Sequence, residues 1–440
     1  MKSALALLTI IGTALAASQK PLGGPIVDAY LGPNATALRA HALELMDKYP
    51  LIDTHVDMPQ ILRTLGRRPL DMVDDLDKHV PGHVDIPRMK EGKLGGLFMT
   101  VYSPCPNFIG QDPGPDFLNP LETVRDNIEM FDLIQNIVDE HPDTFAWAYS
   151  SADIRRNFAN KKISALIGIE GAHTLGNSLS TLRIYAQLGA KYLTLTHICH
   201  NAFASSAGWG KGFEVTPIHP NNGLSDFGRA LVLEMNRLGM MVDLAHVSWE
   251  VMQDVLDITR APVVFTHSGA AAVNDHPRNV PDYILKQIGS GKGQNNGIIL
   301  SVFYPIFIGL DRATVGRVAD HIEHIASVCG RAHVGIASDF DGMYSSVEGL
   351  EDASKYPQLI MELLDRGWSD DEIKGVMGEN LLRVMDAQDA VKESLKHEKP
   401  ARDIYEKRQD LPAPWGGEDN KYLPTEVRKV VHARRQRDEL

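Results

Sequence analysis

Eight short apolar runs, spaced along most of the 440-residue chain, constrain its fold more than any other feature of the sequence. Each run is rich in Val, Ile, Leu or Phe and is little interrupted by polar residues. This is typical of strands in a parallel sheet that is buried on both faces. The predicted strands span residues 51–57, 95–103, 164–171, 192–197, 240–246, 262–267, 297–303 and 333–342.

Segments with helical spacing of apolar residues separate most of these runs. We predict helices over residues 36–48, 121–139, 178–188, 225–238, 314–329 and 369–388. Eight strands that alternate with helices predict an α/β fold of the (β/α)8, or TIM barrel, type. An open doubly wound sheet is the alternative, and it is disfavoured because no strand is followed by a G-x-G-x-x-G turn.

The carboxyl-terminal ends of the predicted strands carry many His, Asp and Glu residues. Barrel enzymes place their chemistry at this end of the sheet. A single His at a strand end is more often a polar turn residue than a ligand, but turn chemistry gives no reason for His at so many ends. Six of the eight strands contribute such residues, namely His55 and Asp57, Glu170, His197, His246, His267 and Asp339.

This combination of side chains predicts a hydrolase with two metal ions. Imidazole and carboxylate suit zinc or a similar ion, and two ions roughly 3.5–4 Å apart need a carboxylate that bridges them. We predict two Zn²⁺ ions bridged by Glu170, with His55 and Asp57 completing one site and His246 and His267 the other. Zinc lowers the pKa of bound water to about 7, so a bridging hydroxide would attack an amide or ester.

Three further residues are candidates for work on a substrate. Asp339 either binds metal or passes a proton to the leaving amine, with helix capping as its structural alternative. His197 either donates to a developing oxyanion or supports a ligand from behind. Arg278 could pair with a substrate carboxylate, although an Arg in a loop is most often solvated. Asp53 is expected to orient a ligand rather than to bind metal.

The first 17 residues have the layout of a cleaved secretory signal, with Lys2, an apolar run and a small-residue stretch at its end. A membrane anchor or buried helix is the alternative, but the run is short for a span, and no other segment approaches that length. The net charge of −13 argues against a nucleic-acid partner. The predicted domains are a signal peptide over 1–17, a barrel over 18–392 and a polar, Pro-punctuated extension over 393–440 that lies on the surface or is partly disordered.

A secretory route has further consequences. Asn34 begins an Asn-Ala-Thr sequon and is a candidate glycosylation site. The chain ends in Arg-Asp-Glu-Leu, one substitution from a Lys-Asp-Glu-Leu retrieval address, so the endoplasmic reticulum lumen is the alternative to secretion. The chain carries no hydrophobic tail of the kind that precedes a lipid anchor, so none is expected. Of Cys105, Cys199 and Cys329, two could form a disulfide, and their spacing does not say which.

Seven motifs occur in order along the chain: DTHVDMP 53–59, IGIEGAH 167–173, YLTLTH 192–197, MMVDLAHVS 240–248, PVVFTHSGA 262–270, RNVPD 278–282 and SDFDG 338–342. Together they resemble the membrane (renal) dipeptidase family of zinc metallopeptidases, which have an amidohydrolase-like barrel. The resemblance covers roughly residues 36–388. It departs at Thr54 and Val56, where the family commonly has Gly and Asn, and at Ala337-Ser338, where it commonly has Gly-Gly; none of these is a proposed ligand.

The resemblance implies the same five zinc ligands that the strand ends indicate. It also implies that His197 contacts the substrate at the scissile centre, that Arg278 binds the substrate carboxylate and that Asp339 handles the proton. A Cys105–Cys199 disulfide with Cys329 free is a further implication.

We therefore expect a zinc-dependent dipeptidase that acts on a wide range of dipeptides. The alternative is the same barrel acting on β-lactam, lactone or Cys-Gly conjugate substrates. A non-catalytic binding protein is a third reading, and the intact ligand set argues against it. The sequence leaves the oligomeric state open, a homodimer included.

Overall fold

The computed structural model describes residues 34–105, 121–210, 219–405 and 424–438. Its strands are β1 Leu51–Val56, β2 Leu94–Tyr102, β3 Phe145–Trp147, β4 Ile163–Glu170, β5 Ala190–Thr194, β6 Met241–Asp243, β7 Val263–Ser268, β8 Ile298–Ser301 and β9 Val334–Ile336. All neighbouring strands are parallel, in the order β1-β2-β4-β5-β6-β7-β8-β9. Each of the eight predicted strands overlaps an observed one, but the strands predicted to end at 197, 246 and 342 end at Thr194, Asp243 and Ile336, so the residues beyond them form turns. β3 was not predicted, because three residues are too few to show a pattern.

The two ends of this sheet meet, which makes it a barrel. The backbone N–H of Asp57 donates to the carbonyl of Phe340 at 2.9 Å, and the N–H of Asp339 donates to the carbonyl of His55 at 3.2 Å. Val56 and Phe340 thus form a parallel bridge between the end of β1 and the segment after β9. The (β/α)8 prediction is confirmed and the open-sheet alternative is wrong.

Helices cover the outside of the barrel. Those of eight residues or more are Ala35–Lys48, Met58–Leu65, Leu121–Glu140, Ser151–Ala159, Leu179–Gln187, Asp226–Leu238, Trp249–Ile258, Val315–Cys329, Tyr356–Asp365, Asn380–Leu395 and Thr425–Asp438. Shorter ones span Ile86–Glu91, Asp282–Leu285, Pro305–Ile308 and Asp370–Lys374. Several begin where a Ser or Thr side chain accepts a backbone N–H, as Ser225 does from Gly228 and Thr314 from Arg317.

The predicted closing helix is confirmed in position but is interrupted. It starts at a capping box on Ser369, passes through a π-helical turn at Gly375–Glu379 and continues to Leu395. Its buried Leu381, Leu382 and Met385 pack with side chains such as Ile52 and Leu166. This helix therefore covers the barrel end from which the strands start, and the opposite end is left for the polar strand ends.

Residues 396–405 lie against the outer helices. Both oxygens of Glu398 contact Arg260, at 2.6 and 2.8 Å, and the N–H of Ala401 donates to Glu234 at 3.1 Å. The ring of the buried Tyr405 stacks on Phe227. The predicted boundary at 392/393 falls inside the helix that ends at Leu395.

Several predictions about the chain ends concern residues that the structure does not describe. The predicted signal peptide lies outside the described residues, and so do the last two residues of the chain. Asn34, the predicted glycosylation site, is exposed. Among the described residues, no helix combines the length and apolar character needed to cross a bilayer.

Candidate metal centre

The predicted ligands converge at the carboxyl-terminal rim of the barrel. The Nε2 atoms of three histidines surround one oxygen of Glu170, with distances to Oε1 of 3.0 Å from His246, 3.4 Å from His55 and 3.4 Å from His267. Each comes from a different part of the rim: β1 carries His55, β7 carries His267, and His246 occupies the turn after β6 with a left-handed backbone. Glu170, the last residue of β4, is thus placed to bridge.

Two more carboxylates face the same histidines. Nε2 of His55 lies 3.6 Å from Asp57 and 4.0 Å from Asp339. Three sets of donor atoms lie within 4.8 Å of one another: His55, Asp57 and Glu170; Glu170, His197 and His246; and His55, His267 and Asp339. The first predicted ligand set is one of these. The second predicted set, Glu170, His246 and His267, is not one of them, although Oε1 of Glu170 lies 3.0 Å from His246 and 3.4 Å from His267.

Tyr192 determines which nitrogen of His55 faces the centre. The Tyr192 hydroxyl donates to the carbonyl of Thr54 at 3.0 Å, so it accepts from Nδ1–H of His55 at 3.1 Å. Nε2 is then the ring nitrogen that faces Glu170. The ring of Tyr192 fits inside the barrel because β4 has Gly168 opposite it, where a Cβ would lie 2.0 Å from the ring.

A buried chain of hydroxyls orients His267 in the same way. Thr266 donates its hydroxyl to Asp243 at 2.7 Å, and therefore accepts from Nδ1–H of His267 at 2.9 Å. Asp243 is held in turn by the Thr194 hydroxyl at 2.5 Å and by backbone N–H groups. Such supporting hydrogen bonds orient metal-binding histidines and raise their basicity.

Asp53 has the supporting position that the sequence predicts. Its carboxylate accepts the backbone N–H of His55 at 3.0 Å and that of Ser338 at 3.0 Å, and the Tyr356 hydroxyl donates to it as well. These bonds tie the end of β1 to the segment that carries Asp339.

The ionisable groups at the centre have shifted pKa values, and several of their atoms lack a hydrogen-bond partner. Burial raises the pKa of Glu170 to about 8 and that of Asp339 to about 7. Burial disfavours a charge on His55, but Glu170 and Asp57 outweigh it and raise the pKa of His55 to about 10. Nε2 of His55, Nε2 of His267 and Oδ1 of Asp57 are buried without a hydrogen-bond partner among the described residues. These donors fit divalent metal ions, which would supply the missing positive charge.

A cavity opens onto the centre. Arg278 lies in its wall at only 1% exposure, with its guanidinium 4.7 Å above the ring of Phe307. Its Nη2 reaches the carbonyl of His267 at 3.4 Å, while Nε and Nη1 have no partner among the described residues. Burial lowers the pKa of Arg278 to about 10, so the group stays charged at neutral pH. The other wall residues are Asp57, Glu170, His197, Ile198, Gly208, Trp209, His246, Tyr304, Asp339 and Gly342.

His197 lines this cavity and lies beside the predicted ligands. Its Nε2 is 4.0 Å from Oε2 of Glu170, and its ring contacts those of His246 and Tyr102. Burial holds the pKa of His197 well below its ordinary value, so the ring is neutral and carries one N–H.

The predicted disulfide is present between Cys105 and Cys199, and Cys329 is a free, buried thiol. Cys105 Sγ lies 3.8 Å from Nδ1 of His197, so the disulfide is next to the cavity.

Sequence reasoning missed the residues that support the ligands and those that shape the cavity. Asp243 and Thr266 were visible as polar residues inside predicted strands, and that signal could have identified them. Nothing in the sequence marks Tyr192, Tyr304 or Phe307 among other aromatic residues.

A family model described as membrane dipeptidase, peptidase family M19, matches residues 39–399. The dipeptidase aclJ of Aspergillus oryzae is 40% identical over 370 residues, covering 82% of this chain and 83% of aclJ. An uncharacterised dipeptidase of Schizosaccharomyces pombe is 38% identical over 382 residues, covering 85% and 86% of the two chains.

Solved structures are similar to this chain as well. A Rhodobacter sphaeroides metallopeptidase, crystallised with a phosphinate mimic of the dipeptide L-Ala-D-Ala, is 25% identical with a TM-score of 0.67, over 77% of this chain and 99% of its own. The probable dipeptidase PvdM of Pseudomonas aeruginosa shares the fold, at 23% identity and a TM-score of 0.69 over 81% and 99%. This chain belongs to the membrane dipeptidase family, peptidase family M19.

Proposed function

We propose that this dipeptidase is a binuclear zinc enzyme with a wide range of dipeptide substrates. The observation that carries the proposal is the convergence of His55, His246 and His267 on one oxygen of Glu170, beside a buried Arg278 with free donors. Two bound zinc ions would lower the pKa of the attacking water, so that hydroxide is available near neutral pH. The relatives are named as dipeptidases, and this favours dipeptides over β-lactam, lactone or Cys-Gly conjugate substrates.

The protein's own residues would bind and orient the dipeptide. Arg278 offers Nε and Nη1 to the terminal carboxylate within the cavity. Neutral His197 would donate its Nε2–H to the carbonyl oxygen as charge develops there. Asp339, whose pKa burial raises to about 7, would take a proton from the nucleophile and give it to the leaving amine.

Metal analysis combined with kinetics tests the metal proposal. We expect purified protein to contain two zinc ions per chain, and chelation to abolish dipeptide hydrolysis until zinc is returned. Protein that hydrolyses dipeptides without bound metal, or that binds one ion at full activity, would contradict it.

The clamp role of Arg278 predicts a dependence on the substrate carboxylate. The Arg278→Ala variant should lose ~10- to 100-fold in kcat/KM on free dipeptides, the range expected for a charged hydrogen-bond pair. C-terminally amidated dipeptides should be poor substrates for the wild type. Their kcat/KM should fall little further in the variant. Equal losses on free and amidated substrates, or a wild type that is indifferent to amidation, would refute the clamp. Unchanged zinc content is the control.

We also propose that the enzyme enters the secretory pathway through the segment 1–17 and is secreted, with retention in the endoplasmic reticulum lumen as the alternative. The Cys105–Cys199 disulfide supports this because such bonds persist in oxidising compartments. Replacing the terminal Arg-Asp-Glu-Leu by Ala residues separates the two locations, since only a retained protein would move to the medium.

A further inference from the structure

The disulfide lies beside a buried histidine that the proposed mechanism does not use. Sulfur atoms of Cys105 and Cys199 and a ring nitrogen of His173 all lie within 4.8 Å of one another. The three residues are 6%, 1% and 4% exposed. None of them belongs to the His and carboxylate cluster around Glu170.

His173 is held in the form that binds metal. Its Nε2 is 2.8 Å from the carbonyl oxygen of Ser103, which can only accept, so Nε2 carries the proton and Nδ1 carries the lone pair. Nδ1 is buried and has no hydrogen-bond partner within the described ranges. Burial lowers the pKa of His173 to about 4, so the ring is neutral. A backbone carbonyl behind a neutral imidazole is the support that metal-binding histidines commonly have.

Gly171 lies directly against the Nδ1 side of this ring. Its φ of 94° is unfavourable for residues with a side chain, and a Cβ there would lie 2.4 Å from Nδ1. The turn that follows β4 therefore leaves the unpartnered nitrogen uncovered by any side chain at position 171.

We propose that reduction of the Cys105–Cys199 disulfide creates a separate metal site, in which the two thiolates and Nδ1 of His173 bind a thiophilic divalent cation such as Zn²⁺. Two sulfur donors and one imidazole suit such an ion. A dithiol reductant supplies the two electrons: the Sγ–Sγ bond breaks, both sulfurs gain a proton, and the dithiol becomes a cyclic disulfide. Metal binding then releases both thiol protons to solvent.

Cobalt(II) added to the full-length protein tests this site without relying on dipeptide hydrolysis. Thiolate ligands give a sulfur-to-cobalt charge-transfer absorption, which the His and carboxylate centre cannot produce. Protein reduced with a dithiol and freed of it under nitrogen should show this absorption and bind one more ion per chain. The oxidised protein should show neither.

Variants identify the ligands. The His173→Leu variant should bind this cobalt ~100-fold more weakly or worse, since even loss of a supporting group costs 10- to 100-fold. Cys329→Ser is the matched control and should behave as the wild type, because Cys329 lies elsewhere and donates to the Leu285 carbonyl.

Several results would overturn the proposal. They are an absent absorption in reduced protein that keeps its native circular dichroism, an absorption that persists in the Cys105→Ser/Cys199→Ser protein, and wild-type affinity in His173→Leu. Loss of the native fold on reduction would overturn it too, because the fold must hold the three donors together. None of these results depends on whether the enzyme cleaves dipeptides.

Discussion

At the scale of single residues, the centre depends on uncharged partners behind its ligands. The Tyr192 and Thr266 hydroxyls each accept from Nδ1–H of a histidine, which leaves Nε2 of His55 and His267 free to bind metal. Because each hydroxyl passes its own hydrogen to a second acceptor, neither ring can turn over without leaving a buried polar group unpaired. The rings of His55 and His267 are therefore already oriented in the metal-free protein.

Removing the Tyr192 hydroxyl should weaken zinc binding. In Tyr192→Phe, Nδ1–H of His55 loses its acceptor, and we expect ~10- to 100-fold lower zinc affinity, as for other supporting groups. Competition with a chromogenic chelator measures the change. Tyr185→Phe is the matched control, since this tyrosine is equally buried but its hydroxyl contacts the Thr174 carbonyl. Equal affinities in the two variants would count against the supporting role.

At the scale of elements, short strands and left-handed turns deliver the side chains. β6 ends at Asp243 and β9 at Ile336, so the residues that follow them leave the sheet and turn over the rim. His246 and Asp339 have φ of 67° and 62°, a strained backbone for residues other than glycine. Such strain is maintained only where the surroundings determine it, here by the pairing of Asp339 N–H with the His55 carbonyl.

The close fit between β4 and β5 predicts that Gly168 cannot be enlarged. In Gly168→Ala the new methyl group would overlap the Tyr192 ring, and overpacking of this kind costs ~1–3 kcal/mol in the free energy of unfolding. Because the ring supports His55, zinc affinity should fall as well. Urea unfolding and chelator competition give the two values.

Gly96 in the neighbouring strand β2 offers the control. A Cβ there would approach its nearest neighbour, Ser164, at 3.3 Å, so Gly96→Ala should be milder. Equal stabilities of the Gly168→Ala and Gly96→Ala proteins would contradict the prediction, because the barrel interior would then accommodate a methyl group beside Tyr192.

At the scale of the whole molecule, one end of the barrel is covered and the other holds the charge. The helix Asn380–Leu395 packs beneath the strands, and the segment to Tyr405 continues along the outer helices. Buried carboxylates and histidines collect at the opposite rim. A bound metal ion would offset the repulsion between these buried carboxylates. Metal binding should therefore stabilise the folded protein.

Truncation tests where the folded unit ends. A chain that stops at Lys392 loses the end of its closing helix, the Arg260–Glu398 pair and the buried Tyr405. We expect it to be less stable than a chain that stops at Tyr405, by ~3 kcal/mol or more, as for loss of a buried aromatic side chain. Urea unfolding of both proteins measures the difference. Equal stabilities would support a boundary at 392/393.

Above about pH 7, where the histidines of the unfolded chain have largely lost their protons, the metal-free protein should become less stable as pH rises. The folded state raises the pKa of Glu170 to about 8 and of Asp339 to about 7, so it binds these protons more tightly than the unfolded chain does. The resulting stability is fully present below the unfolded carboxyl pKa values of about 4 and is lost as pH passes through these folded values. The raised pKa of His55, about 10, acts in the same direction.

Urea midpoints at several pH values between about 7 and 9, with chelator and with saturating zinc, provide the measurement. The midpoint should fall with pH in the metal-free protein, and the zinc-dependent gain should grow, because zinc replaces the lost protons. A metal-free midpoint that rises over this range would contradict the prediction.

Local patterns in the sequence predicted the barrel and the candidate ligands near the ends of its strands. Strand periodicity and residue type are local properties, so the eight runs and their His, Asp and Glu residues could be identified without coordinates. The resemblance then supplied the disulfide pairing, which the spacing left open. The supporting position of Asp53 on β1 also followed from strand alternation.

Contacts between segments that are distant in the chain could be identified only from the tertiary structure. The bridge between Val56 and Phe340 closes the barrel. Gly168 makes space for Tyr192, which orients His55 from 137 positions away. His173, a strand-end histidine like the ligands, contacts Ser103 and the disulfide instead of the metal centre. Each of these outcomes depends on which side chains the fold brings together, and residue type alone does not encode that.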